Sequence, residues 1–331
     1  MKQRSNRLLV GLVAVLAVSL TTAAVAMAAT IIGNDGPNGL TGTDQRDRIF
    51  AKGGDDTVSA LARADLVRAG AGNDTVNGGR GPDFIGGGDG NDSLDGDRGH
   101  DFVRGGLGDD AIKGGGGRPG RRGDILHGNP GNDNVAGGAG YDLITGNAGD
   151  DTLNGGIGCD RIFAGPGNDG LDGGPGNNLR RFRCERLHGG AGNDTANGGV
   201  GRDFMSGGRD DDTQNGGGGS DKIFANQGRD VSDGGDGHDV LWALSRKDVS
   251  AIGDLEGDEL TGGEGRDRFH VRDGEQDIVH CGNGRDAVLA DQFDQVDADC
   301  ERLIRRDVTS LDQVEDEAEN RTEEPPEDDD E

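Results

Sequence analysis

From residue 33 onward the chain returns to the same letters every nine residues, and this period constrains the fold more than any single motif. Let the acidic residue of each unit be position six. Over residues 33–113 that column reads Asn38, Asp47, Asp56, Asp65, Asp74, Asp83, Asp92, Asp101 and Asp110. Position eight is always aliphatic: Leu40, Ile49, Val58, Val67, Val76, Ile85, Leu94, Val103 and Ile112. A second run, 119–181, carries Asp124, Asp133, Asp142, Asp151, Asp160 and Asp169 after the insertion "GGGGR". Its last unit is defective, with Asn178 and Arg180 at positions six and eight, and the seven residues "FRCERLH" follow it. A third run, 189–242, carries Asp194, Asp203, Asp212, Asp221, Asp230 and Asp239. Its position-eight column weakens to Ala196, Met205, Gln214, Ile223, Ser232 and Leu241. A degenerate section, 253–304, retains Asp258, Asp267, Asp277 and Asp286.

Position eight lies between small or polar neighbours, so each unit supplies a short strand with one inward side chain. Glycines at positions one, two and four supply a tight turn. A turn and a strand make half a coil. Two units therefore close an 18-residue coil, and successive coils stack as parallel strands about 4.8 Å apart. Position-six carboxylates then fall into two rows, one along each edge, where they repel unless something neutralises them. With 67 glycines in 331 residues and only 31% hydrophobic residues, one buried aliphatic per unit cannot offset the ordering of nine backbones. A hard divalent cation held by aspartate and turn carbonyl oxygens supplies the missing stabilisation. Calcium suits flexible all-oxygen sites, whereas magnesium prefers a rigid octahedron and keeps its waters.

Units such as "GGRGPDFIG" at Gly78, "GGDGNDSLD" at Gly87 and "GGAGYDLIT" at Gly137 resemble the haemolysin-type calcium-binding repeat of RTX (repeats-in-toxin) proteins, GGxGxDxUx. The resemblance covers 33–289. It implies an all-β fold, a parallel β-roll (β-helix or solenoid) with several calcium ions bound between neighbouring coils. The implied ligands, with turn carbonyls, are Asp47, Asp56, Asp74, Asp83, Asp92, Asp101 and Asp110 in the first run. In the second they are Asp133, Asp142, Asp151, Asp160 and Asp169; in the third and last, Asp194, Asp203, Asp212, Asp221, Asp230, Asp239 and Asp267. Asp65, in "ALARADLVR", lacks turn glycines and is left out; Asn38 and Asn178 offer only neutral oxygens.

Residues 1–28 read as a secretory signal peptide: Lys2, Arg4 and Arg7, an apolar run, then Ala26-Met27-Ala28. The alternative is an uncleaved anchor over 8–29. RTX proteins usually carry an effector domain upstream and a C-terminal export signal, so a different export route is expected here. Residues 305–331 form an acidic stretch expected to be disordered. Four cysteines in an exported chain suggest two disulfides with three connectivities. Spacing favours Cys159–Cys184 and Cys281–Cys300, the second cysteine of each opening the same "CERL", with the other pairings left open. The latter pair would cap the degenerate section.

A net charge of −29 argues against nucleic acid as a partner. No HExxH, G-x-S-x-G or P-loop appears, and His100 and His238 beside the turn aspartates form no ligand set. The expected protein is a secreted, extracellular calcium-binding roll, structural, adhesive or surface-associated and not an enzyme. Its expected partners are calcium and a cell-surface component or polysaccharide, with no membrane insertion beyond the signal. The alternative is an accessory or catalytic module of a secreted carbohydrate-active or hydrolytic enzyme.

Overall fold

Alternation decides the architecture: position eight points inward, positions seven and nine outward, and every second unit returns to the same sheet. A computed structural model describes residues 27–116, 122–175, 185–243 and 257–308. The expected signal peptide before residue 27, the unit holding Asn178 and Arg180, Cys184, and the acidic stretch after residue 308 lie outside the described residues.

Two parallel sheets face each other across two columns of buried side chains, one from each sheet. In the first, Ile49 pairs with Val67, Val67 with Ile85 and Ile85 with Val103, and the column continues through Leu126, Ile144 and Ile162. In the second, Leu40 leads through Val58, Val76 and Leu94 to Ile112. All of these except the terminal Leu40 are buried. In the first coils, strands of the first sheet, such as Arg48–Gly53, extend into the turn, whereas those of the second, such as Thr57–Ser59, stop after three residues; from Ala111–Gly116 to Thr152–Gly158 those of the second sheet extend likewise.

Position two of the turn needs a left-handed backbone: φ is +126° at Gly70 and +132° at Gly88. Where glycine is replaced there, asparagine, which tolerates this region well, stands at Asn129 (φ 80°), Asn147 (φ 85°) and Asn226 (φ 80°), while Lys52 (φ 88°), Leu61 (φ 78°) and Asp97 (φ 65°) adopt it at greater strain.

Insertions leave the register intact. The equivalent residue one coil on is usually 18 away, but the step is 23 from Asp101 to Asp124, 25 from Asp169 to Asp194 and 28 from Asp239 to Asp267. The added residues fall at 117–121, 176–184 and 244–256, outside the described residues, while the strands on either side remain paired. The break read at "GGGGR" is placed differently in one respect: Gly115 and Gly116 keep the ordinary repeat register, pairing with Gly138 and Ala139. The defective unit is also corrected. Leu187, not Arg180, holds position eight, pairing with Ile162 and buried at 1% exposure. The roll runs beyond 289, to a last strand Arg302–Arg305.

The outward faces differ sharply. Positions seven and nine of the first sheet present Arg48, Arg68, Arg104 and Arg161, then Arg186, Lys222, Arg268 and Arg302, with no aspartate or glutamate among the described residues. The second sheet presents mainly Thr, Asn and Ser there, with Asp95, Asp172, Asp233, Glu259 and Asp297 against the single Lys113.

Candidate metal centre

Each position-six side chain turns back along the roll axis. The Asp74 N–H donates to Asp92 Oδ1 at 2.8 Å, and the Asp92 N–H donates to Asp110 Oδ1 at 2.8 Å. This ladder runs along one edge from Asn38 through Asp133, Asp151, Asp169, Asp194, Asp212 and Asp230 to Asp258 and Asp277. Along the other it links Asp47, Asp65, Asp83, Asp101, Asp124, Asp142 and Asp160, and later Asp203, Asp221, Asp239, Asp267 and Asp286. All nineteen aspartates implied as ligands stand in these two rows, buried to 0–3% exposure.

The ladder also takes in residues outside those nineteen. Asp65 occupies the ladder like its neighbours despite its glycine-poor turn, accepting the Asp47 N–H at 2.6 Å. Glu185 fills position six where Asn178 was expected: it accepts the Asp160 N–H at 2.6 Å, and its own N–H donates to Asp203 at 2.9 Å. Glu301 repeats this at the end, accepting the Asp286 N–H at 2.8 Å. The repeated "CERL" was the available signal, since it sets Glu and Leu at positions six and eight in both places.

One carboxylate oxygen is therefore satisfied, and the other is not. Oδ2 of Asp56, Asp74, Asp92, Asp110 and most of their successors in both rows is buried with no hydrogen-bond partner. Its surroundings are acceptors. A Cβ placed on Gly137 would meet Asp142 Oδ2 and the Gly155 carbonyl oxygen, each at 2.6 Å; at Gly96 it would meet Asp101 Oδ2 at 2.7 Å and the Gly114 carbonyl oxygen at 2.8 Å. Glycine at position one thus lets a carboxylate and the next coil's carbonyl converge where no N–H arrives. Buried acceptors with no donor require a cation or a proton.

Electrostatics agrees. Burial pushes the Asp92 carboxyl up to about 7, against the hydrogen bond from Asp74 and with the help of the charges on Asp110, Asp74 and Asp89. Burial likewise raises Asp101 and Asp212 to about 8 and Glu185 to about 9. The donors are hard oxygens, recurring at every coil on both edges, which fits calcium and excludes a thiolate or imidazole set. In the last coils Asp273, Glu275 and Asp277 also bring one ligand atom each within 4.8 Å of one another, all buried.

The two edges are not equivalent. Along that of Asp74 and Asp92, position five carries a second, exposed ladder: the Asn91 N–H donates to Asn73 Oδ1 at 2.8 Å, and the Asp109 N–H to Asn91 Oδ1 at 3.0 Å. It runs opposite to the buried one, so each turn is tied to both neighbours. Position five of the other edge holds residues such as Pro82, His100, Tyr141 and Cys159. Cys281 and Cys300 are disulfide-bonded, tying the last coils together. Cys159 is also disulfide-bonded, and Cys184, the partner expected from spacing, lies outside the described residues.

A two-sheet parallel roll whose consecutive coils are joined by rows of half-satisfied buried carboxylates defines a repeat solenoid with the donor set of an oxygen-ligand metal site. Comparison with known families gives the same class: the RTX calcium-binding nonapeptide repeat (4 copies) matches residues 28–58, 50–85, 86–118, 127–158, 145–179, 185–214 and 215–241. The chain belongs to this family. The match ends at 241, whereas the ladder continues to Glu301. No curated protein matches the chain. No catalytic constellation is evident among the described residues, and none of their elements is a helix that could cross a membrane.

Proposed function

We propose that the protein is an exported structural or adhesive element, without catalytic activity, whose roll is ordered by calcium bound along both edges. The observation that carries this reading is the file of buried, partnerless Oδ2 atoms beside turn carbonyls. The aspartates named above, from Asp47 to Asp267, would hold the ions, and Asp65 and Glu185, each with a buried partnerless carboxylate oxygen, join them on the same grounds. Calcium would supply charge neutralisation between coils and so couple binding to folding. Export is supported by the Cys281–Cys300 disulfide, which belongs to an oxidising compartment, and by the basic, apolar and small-residue order of residues 1–28.

Far-ultraviolet circular dichroism during a calcium titration of chelator-treated protein tests the reading. A cooperative gain of β structure is expected, with calorimetry giving the number of ions. A chelated protein with an unchanged spectrum would refute it.

A further inference from the structure

The outward face of the first sheet is cationic and aromatic on a chain of net charge −29. Of nine phenylalanines, one tryptophan and one tyrosine, six phenylalanines and the tryptophan stand at its positions seven and nine. We propose that this face docks a linear acidic polysaccharide laid along the roll axis, a partner for the exported scaffold and so resting on that reading.

The rings form ladders. Phe84 and Phe102 stack at 4.8 Å with planes 5° apart; Phe224 and Trp242 stack at 4.4 Å and 3°, and Trp242 and His270 at 5.3 Å and 8°. Rings stacked along the axis spend their faces on one another and turn their rims outward. A ring's rim carries the positive part of its quadrupole, so the ladder adds to an anion-attracting surface.

Cations are held into this surface. Arg104 lies over Phe102 at 4.9 Å, Arg186 over Phe204 at 5.4 Å and Lys222 over Trp242 at 5.5 Å. Such contacts restrain long side chains before any partner arrives, which lowers the cost of ordering them on binding. From Arg186 through Lys222 and Arg268 to Arg302 a cationic rung recurs every second coil, roughly 10 Å apart, and in the earlier coils the step is one to three coils. Regularly spaced anionic groups on a stiff polymer match that pattern. Overall negative charge does not cancel it, because screening acts over about 8 Å at physiological salt and the opposite acidic face lies about 10 Å farther away.

Single-stranded nucleic acid is the weaker match, since its sequence-tolerant binding uses open aromatic faces for base stacking, and here those faces are engaged. Carboxylated and sulfated sugars share the required chemistry and are separated by experiment.

Calcium-saturated full-length protein is titrated calorimetrically with short galacturonate oligomers, dextran sulfate oligomers and oligo(dT) of matched charge, at two salt concentrations. Binding of either oligosaccharide, weakening with salt, is expected. The triple variant R104E/R186E/R268E should lose at least roughly tenfold in affinity, while K113E on the opposite face leaves it unchanged. Circular dichroism of the same samples reports calcium-dependent folding separately, so a folded roll that binds neither oligosaccharide overturns the docking proposal alone. Tighter binding of oligo(dT), or an equal loss in K113E, also overturns it. If the triple variant does not fold, R104Q and R268Q singly must each weaken binding.

Discussion

The Asp160 N–H donates to the Glu185 carboxylate at 2.6 Å, although the residues are 25 apart in a roll whose ordinary step is 18. The longer glutamate thus carries the ladder across an insertion. Asp160 is wholly buried, so Glu185→Ala leaves its N–H without an acceptor and should cost about 1–3 kcal/mol. Glu185→Gln keeps an acceptor oxygen and should unfold close to wild type in excess calcium while requiring more calcium to fold. Thermal melts at several calcium concentrations distinguish the two variants.

The pH dependence follows from the raised carboxyls. Aspartate titrates near 4 when unfolded, whereas burial holds Asp110 up to about 6, Asp92 to about 7 and Asp101 to about 8 in the roll. Because the folded values lie above the unfolded one, their contribution is fully present below about pH 4 and is lost as pH rises through 6 to 8. Chelated protein should therefore show more β structure at pH 5 than at pH 8. With calcium the order of need reverses: protons compete for Oδ2, so half-saturation at pH 5 should take more calcium than at pH 8. Chelated protein that folds better at pH 8 would contradict the burial argument.

Glycines in the turn and strand should respond oppositely to alanine. Gly88 has φ +132°, and an added Cβ would collide with the Gly70 carbonyl oxygen of the preceding coil. Gly86 is an outward strand residue with nothing within 4 Å of its would-be Cβ. Gly88→Ala should destabilise by more than about 1 kcal/mol, while Gly86→Ala should be neutral or slightly stabilising. Chemical denaturation in saturating calcium measures both.

Most of the coil was legible because one count of nine generates it: Asp92 at position six and Leu94 at position eight imply a turn, a strand and a row. Glu185 was not, since residues 176–184 interrupt the count and a glutamate replaces the expected aspartate. The place of Asp65 in the hydrogen-bond ladder has a related reason. Glycine eases the turn, but the ladder bond uses only a main-chain N–H and a carboxylate, which "ALARADLVR" retains. The cationic face was hidden because alternate units feed opposite sheets; Arg104 and Asp95 look alike in a list of repeats and lie on opposite sides of the roll.

The Cys281–Cys300 bridge closes a loop of 19 residues around the last coils. Chain-entropy reasoning assigns such a closure about 3 kcal/mol. The double variant C281S/C300S should lower protection against hydrogen exchange around Asp286 and Val288 while leaving Val76 to Val103 unchanged. Uniform loss across the roll would mean that the coils unfold as one unit.

Core composition should set the order in which coils open. In the second sheet Ala196, Gln214 and Ser232 occupy consecutive inward positions, whereas Val76, Leu94 and Ile112 fill the equivalent places earlier. Gln214 and Ser232 hydrogen-bond to each other at 3.2 Å inside the roll, which satisfies them but replaces aliphatic burial worth roughly 1.5–3 kcal/mol per side chain. Carboxylate rows flank both regions alike, so calcium must contribute a larger share of stability over 189–232. As calcium is withdrawn, hydrogen exchange should accelerate there before it does over 78–112. Equal protection at every calcium concentration would place the stability of the roll in its edges alone. Replacing both Gln214 and Ser232 by leucine should then abolish the difference if the core governs it.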